Sequence, residues 1–283
     1  MEKLTEDILH QVITPRPTNG HKGTFGKVLL IGGNQNYGGA IIMATLACVN
    51  AGAGLVSCAC AKDNLTALHS VVPEAMFINF YDRIALTQAI RQNDVIVIGP
   101  GLGLDEQALT ILKIVLTNYQ PTQKLIIDGS ALTLLANHLD LLAYLGKGPT
   151  ILTPHQMEWQ RLSGIKIENQ DELAKTQTLA QQLKSWVVLK KHQTLIFHPD
   201  QTIAYLPIGG PFMATGGMGD TLTGILAAII AQFKNQDLNT LVNAGVYLHS
   251  AVAQELATKN YVVLPTKLSQ HLPLFMQKIC APS

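Results

Sequence analysis

The chain has 283 residues, 47% of them hydrophobic and only 14% charged, with a net charge of +1. That is enough apolar sequence to bury the core of one large α/β domain. The near-neutral balance and the lack of any Lys/Arg run exclude nucleic acid and anionic membrane as main partners, but not a small phosphorylated ligand that needs only a local positive site.

The low charge content also points to a surface partly covered by further copies of the chain. Met1-Glu2-Lys3-Leu4-Thr5-Glu6-Asp7 is acidic and lacks a signal-peptide core, and the longest apolar runs, such as Ile225 to Ala231, are too short to span a bilayer. Cys48, Cys58, Cys60 and Cys280 have no zinc-site spacing. They read as buried thiols in a reducing, cytoplasmic compartment.

In chain order, residues 1–26 read as an irregular arm, broken by Pro15, Pro17, Asn19, Gly20 and Gly23. Lys27 to Ile31 reads as a buried strand that runs through Gly32-Gly33 and Gly38-Gly39 into a helix, Ala40 to Ala51. Leu55 to Ala61, Ala75 to Phe80 and Asp94 to Ile98 are further strands. The last of these runs straight into Gly99-Pro100-Gly101-Leu102-Gly103 and then a helix, Asp105 to Asn118. Continuous apolar strands with glycines at their carboxyl ends are the pattern of a parallel sheet, whose ligands gather at that rim. Lys124 to Asp128 and Thr150 to His155 continue the pattern, with Glu158 three positions beyond His155. Such a pair can share a helix face, and His155 can equally serve as an N-terminal helix residue bonded to backbone. Asp171 to Lys184 is an amphipathic helix and Trp186 to Lys191 a strand, followed by a β-hairpin from Leu195–His198 and Ile203–Leu206. Met218 to Phe233, Leu238 to Thr258 and Lys267 to Lys278 close the chain as helices. The expectation is a single domain over residues 1–283: eight to ten strands, mostly parallel, with helices on both faces of the central sheet.

The stretch Thr215-Gly216-Gly217-Met218-Gly219-Asp220 stands at the head of the first of these last helices. Glycines let backbone N–H groups turn toward a ligand, and a helix N-terminus favours an anion. A carboxylate beside a phosphate is repulsive unless it has a task, and the task available to Asp220 is to take the proton of a hydroxyl that attacks the phosphate. The plainer reading is a flexible turn capped by Asp220.

The ordered motifs also carry a resemblance. They are Arg16-Pro17 with His21 to Gly26, Gly32-Gly33 with Tyr37 to Ala40, Gly52 to Val56, Gly99 to Gly103, Thr153-Pro154-His155 with Glu158, and Thr215 to Asp220. Over roughly residues 15 to 280 the chain resembles the ADP/ATP-dependent NAD(P)H-hydrate dehydratases of the ribokinase-like superfamily. The resemblance implies a three-layer α/β fold and a dehydration of the S-form of hydrated NADH or NADPH, coupled to loss of phosphate from ADP or ATP. It places the hydrated cofactor near Ala40, Gly103, His155 and Asp220, and the adenine nucleotide near Lys190, Lys191, His192, Gln193, Thr194, Thr215, Gly216, Gly217 and Gly219. It gives Asp220 the catalytic base, and Glu158 an indirect hold on Mg²⁺ through water. It further implies a homo-oligomer, a tetramer among the options, and a separate epimerase polypeptide, since this chain starts close to the dehydratase motifs.

Three departures accompany it. Ala214 stands where the family has glycine, which matters only if that position needs a positive φ. Lys190-Lys191-His192-Gln193-Thr194 replaces a Lys-Gly-x-x-Thr turn, and Asp128-Gly129-Ser130 keeps the first acid of an Asp-Ala-Asp run but not the second, so Ser130 is assigned no metal. Two other functions share part of this pattern: a small-molecule kinase of the same superfamily, and a nucleotide-binding protein without turnover.

Overall fold

In a computed structural model, which describes residues 1–280, one ten-stranded sheet runs through the chain. Its strands are β1 (Glu2–Lys3), β2 (Lys27–Ile31), β3 (Leu55–Cys60), β4 (Met76–Asn79), β5 (Val95–Ile98), β6 (Lys124–Ile127), β7 (Thr150–Leu152), β8 (Ser185–Leu189), β9 (Leu195–Phe197) and β10 (Ile203–Tyr205), in the spatial order β1-β10-β9-β8-β7-β6-β5-β2-β3-β4. From β8 to β4 every pairing is parallel, and only β9 breaks the direction, antiparallel to both β8 and β10.

The helices are α1 (Asp7–Val12), α2 (Gly38–Asn50), α3 (Leu65–Val71), α4 (Arg83–Gln92), α5 (Glu106–Asn118), α6 (Gly129–Asn137), α7 (Gln156–Ser163), α8 (Leu173–Gln182), α9 (Met218–Gln232), α10 (Leu238–Ala257) and α11 (Pro265–Cys280). Strand alternation sorts them into two layers. Val28, Leu30, Val95, Val97, Ile126 and Ile151 pack with α2, α9, α10 and α11. Leu29, Ile31, Ile96, Ile98, Leu125 and Ile127 face the other way, onto α4, α5 and α6. The buried strands read as unbroken apolar runs because each residue has a core on one face or the other. This is the three-layer α/β fold expected from the sequence.

α9 is buried on nearly all sides, between the sheet, α2 and α10, which is why its sequence is apolar all round. Its approach to α2 is close enough that a Cβ on Gly224 would lie 2.0 Å from the Ala44 carbonyl oxygen. No helix of the described residues is long and apolar enough to cross a membrane.

The stretch 1–26 is not irregular throughout, as its breakers suggested. β1 pairs with β10 in parallel, and α1 packs against α10 through a segment that buries Leu4, Leu9, Val12 and Ile13. Such short elements have no local stability of their own; their contacts come from residues about two hundred positions away. The Thr150–His155 strand stops at Leu152 because His155 begins α7, and Trp186–Lys191 stops at Leu189 with an isolated bridge from Lys190 to His155.

Candidate active site

Parallel register lines up the strand ends. Ile31 pairs with Ile98, Ile98 with Ile127, and Ile127 with Leu152. The next residues, Gly32, Gly99, Asp128 and Thr153, therefore share one rim. Lys190 follows the end of β8 at the same rim.

Above this rim starts α9. Gly217 is its N-cap, with φ +93°, a backbone that only glycine enters freely. A Cβ there would also meet the Met43 side chain of α2, at 2.3 Å from Cε. Among the described residues no backbone or side-chain acceptor takes the N–H of Gly216, Gly217 or Gly219. These donors and the positive end of the α9 dipole converge on open space, since a Cβ on Gly216 would meet nothing within 4 Å. Asp220 lies in the first turn.

Beneath the loop a single ammonium sits among carboxylates. Lys190 Nζ donates to Asp128 Oδ1 at 2.7 Å, and the Thr153 hydroxyl donates to the same oxygen at 2.8 Å. A Cβ on Gly219 would lie 3.1 Å from Nζ, which puts the ammonium against the floor of the loop. Burial alone would push Lys190 down, but Asp128 and then Glu158 overcome it and hold the amine above its ordinary value. Asp220 is pushed up to about 6, first by burial and then by the Asp128 charge, with Lys190 opposing. Glu158 is pushed up to about 7, chiefly by burial.

His155 and Glu158 form a capping box at the start of α7. His155 Nδ1 accepts from the N–H of Met157 and Glu158 at 3.1 and 3.2 Å, and Glu158 Oε2 accepts from the His155 N–H at 2.8 Å. Two donors on Nδ1 leave the ring proton on Nε2, which lies 3.5 Å from Glu158 Oε1. Burial, and then the Lys190 charge, keep this imidazole below its usual pKa.

The other residues singled out from the sequence divide into two groups. Ala40 lies in the first turn of α2, which starts at Gly38 and not at Ala40 as the sequence suggested, and Gly101 lies against it: a Cβ on Gly101 would be 3.1 Å from the Ala40 Cβ. Gly103 faces the Asn34 side chain on the adjacent loop. Ala40, Gly103, His155, Lys190, Gly216, Gly217, Gly219 and Asp220 thus border one rim. Lys191 turns away and pairs with Asp171, while the Thr215 hydroxyl reaches the Val263 carbonyl at 3.4 Å. His192 is exposed, Thr194 half-buried, and Gln193 takes a positive φ of 58°, whereas Lys191, at the family's glycine position, does not. Ala214 has φ −78°, so its departure from glycine carries no strain.

Sequence reasoning did not pair Asp128 with Lys190, which lie 62 positions apart. It also passed over His249 of α10, buried with Nε2 unpartnered among the described residues and pushed down to about 4 by burial. The only local signal for Asp128 is a carboxylate ending an apolar strand. His249 gives none within its apolar helix.

Arg16 lies at the opposite ends of α2 and α9. It stacks on Phe25 at 3.9 Å and donates to Gln232 Oε1 at 3.1 Å and to the Gly52 carbonyl. A cavity of about 1130 Å³ opens there, bordered by Ile13, Arg16, Asn50, Phe233 and Met276, away from the carboxylates of the rim.

A mostly parallel three-layer sheet, with a glycine-lined helix N-terminus and a carboxylate in the first turn, places the chain in the ribokinase-like class. A crystal structure of a ribokinase-like superfamily protein from Enterococcus faecalis V583 superposes with a TM-score of 0.94, at 50% identity over 99% of this chain and 97% of that one. Within that class the family model described as NAD(P)H-hydrate dehydratase matches residues 28–274, and the chain belongs to that family. An ADP-dependent (S)-NAD(P)H-hydrate dehydratase of E. faecalis is 51% identical over 100% of this chain and 95% of its own length. The ADP/ATP-dependent NAD(P)H-hydrate dehydratase of Bacillus subtilis, co-crystallised with ATP/Mg²⁺, superposes with a TM-score of 0.84 at 28% identity, over 98% of each chain.

Proposed function

We propose that this protein removes water from the S-form of hydrated NADH or NADPH, using ADP or ATP as phosphoryl donor and releasing phosphate with AMP or ADP. The observation that carries this reading is the placement of Asp220: a carboxylate raised to about 6 by burial, beside free N–H groups of the anion loop. With that pKa Asp220 is mostly ionised at neutral pH and is a stronger base than an ordinary carboxylate.

The hydrated dihydropyridine carries a hydroxyl on C6, next to the ring nitrogen, and hydroxide is a poor leaving group. Asp220 takes the hydroxyl proton as the oxygen attacks the terminal phosphorus, and the shortened nucleotide departs. The N–H groups of Gly216, Gly217 and Gly219 receive the charge on the transferring group; one such donor is typically worth ~3 kcal/mol of transition-state stabilisation. The ring nitrogen's lone pair then expels phosphate by breaking C6–O, and loss of a proton from C5 restores the dihydropyridine. In this reading Ala40, Gly103 and His155 meet the dinucleotide, and the backbone of Lys190 to Thr194 with the side chains of His192, Gln193 and Thr194 meets the adenine nucleotide.

Among the described residues no three His, Cys, Asp or Glu side chains are set to cage a metal. Glu158, whose charge acts on the Lys190 ammonium, instead fits a Mg²⁺ ion that would arrive on the nucleotide's phosphates and keep most of its waters. Glu158 would hold it through water. Bound there, Mg²⁺ would neutralise charge on the phosphates.

The protein acts as a homo-oligomer in this reading. The support is the 14% charged content and the exposed apolar side chains Tyr261, Val262, Leu264 and Leu274. Light scattering that returns a monomer overturns this part. An enzyme confined to the S-form also needs a companion activity that interconverts the two C6 epimers.

The deciding experiment mixes the protein with Mg²⁺, ADP or ATP, and hydrated NADH or NADPH. Return of the dihydropyridine absorbance with stoichiometric phosphate is expected. A stable phosphorylated product without that absorbance would identify a kinase, and tight nucleotide binding without phosphate release a binding protein.

A further inference from the structure

We propose that Asp128 is a positioning residue for phosphoryl transfer, acting through Lys190. This rests on the function proposed above.

Asp128 is 2% exposed, at the end of β6. Its N–H donates to the Ile98 carbonyl at 3.0 Å, and its Oδ1 receives the Thr153 hydroxyl at 2.8 Å. The carboxylate is therefore fixed before any ligand arrives. Lys190 is anchored separately, through its N–H to the Pro154 carbonyl at 2.8 Å. Its side chain crosses over β7 to reach Asp128, a span of two strand spacings, roughly 10 Å. The ammonium that results lies against Gly219.

Three carboxylates compete for this one ammonium: Asp128, Glu158 and Asp220. Asp128 holds it at 2.7 Å, so the charge stays under the loop floor, beneath the N–H groups to which the proposed function gives the transferring phosphoryl group. Without Asp128 the flexible lysine pairs with Asp220. An ion pair there would tie up the carboxylate lone pair that must accept the hydroxyl proton and withdraw the charge from the loop floor. The arrangement thus keeps base and cation close but unpaired.

A double-mutant cycle tests this in the assay for hydrated NADH. Asp128→Asn, of the same size, is expected to lower kcat at least tenfold while KM for ADP or ATP stays within threefold. In a Lys190→Met background the same substitution is expected to change kcat less than twofold, because the ammonium it controls is gone. Equal losses in both backgrounds overturn the proposal, as does a loss that appears in KM alone. Thr153→Val provides a milder second cycle if Lys190→Met does not fold. It is expected to lower kcat about threefold in the parent and not at all beside Asp128→Asn; additive losses again refute the proposal. Thermal unfolding checks that each variant is native. A parent with no turnover overturns the functional reading and this proposal together, whereas an active parent with additive variants overturns only the proposal.

Discussion

His155 and Glu158 satisfy each other's backbone: Glu158 Oε2 accepts the His155 N–H at 2.8 Å, and the Glu158 N–H donates to His155 Nδ1 at 3.2 Å. The two residues fix the start of α7 at the rim, so part of Glu158's role is structural. Removing a cap of this kind costs about 1 kcal/mol. Glu158→Ala is therefore expected to lose about that much stability in urea unfolding, while Glu158→Gln, which keeps an acceptor, stays near the parent. Equal stability of the two variants would remove the capping box from the account.

Activity should depend on pH through Asp220. Its carboxyl, raised to about 6, must be ionised to take a proton, so kcat/KM rises with pH through that value and levels off above it. The Asp220→Asn variant should fold, bind both ligands and turn over orders of magnitude more slowly. A pH profile of the parent that is flat between pH 5 and 7, or near-parental turnover by the variant, contradicts the assignment of the base.

Gly217 is required twice, by its φ of +93° and by the Met43 side chain in the space a Cβ would occupy. Gly217→Ala is expected to cost ~1–3 kcal/mol of stability and to lower kcat by displacing the loop donors. Adding Met43→Ala relieves the contact but not the backbone strain, so it should recover only part of the loss. Full recovery would mean that φ is not the constraint.

Arg16 acts at the far ends of α2 and α9, where it bonds the Gly52 carbonyl just past the C-cap of α2 and the Gln232 side chain that itself donates to the Ala51 carbonyl. Arg16→Ala should lower the unfolding free energy by about 1–2 kcal/mol, through lost hydrogen bonds and lost stacking on Phe25, with kcat unchanged. A substantial fall in kcat at unchanged stability would show instead that this arm communicates with the rim.

The legible parts of this chain were those with strong local signatures. β2, β5 and β6 appear as apolar runs because both faces of a parallel sheet are covered, and α9 as a continuous apolar helix because it is buried all round. Asp220 stands out because a carboxylate amid glycines at a helix start has few structural uses. The short helices α3 and α6, and the pair β1 and α1, were not legible, since tertiary burial stabilises them more than propensity does. The segment Lys190 to Thr194 shows no local sign of where its side chains go: Lys190 reaches Asp128 beneath the glycine loop and Lys191 turns to Asp171.

The amino-acid order by itself determined the class of fold and the glycine-lined helix start with its carboxylate, because each follows from periodicity or from residues adjacent in the chain. The tertiary structure alone decided which charges meet. Lys190 finds Asp128 because parallel register puts the ends of β6, β7 and β8 at one level, and a lysine is long enough to cross the strand between. No spacing along the chain encodes that meeting, and with it comes the charge beneath the loop, while the raised pKa of Asp220 comes first from its tertiary burial and then from the Asp128 charge.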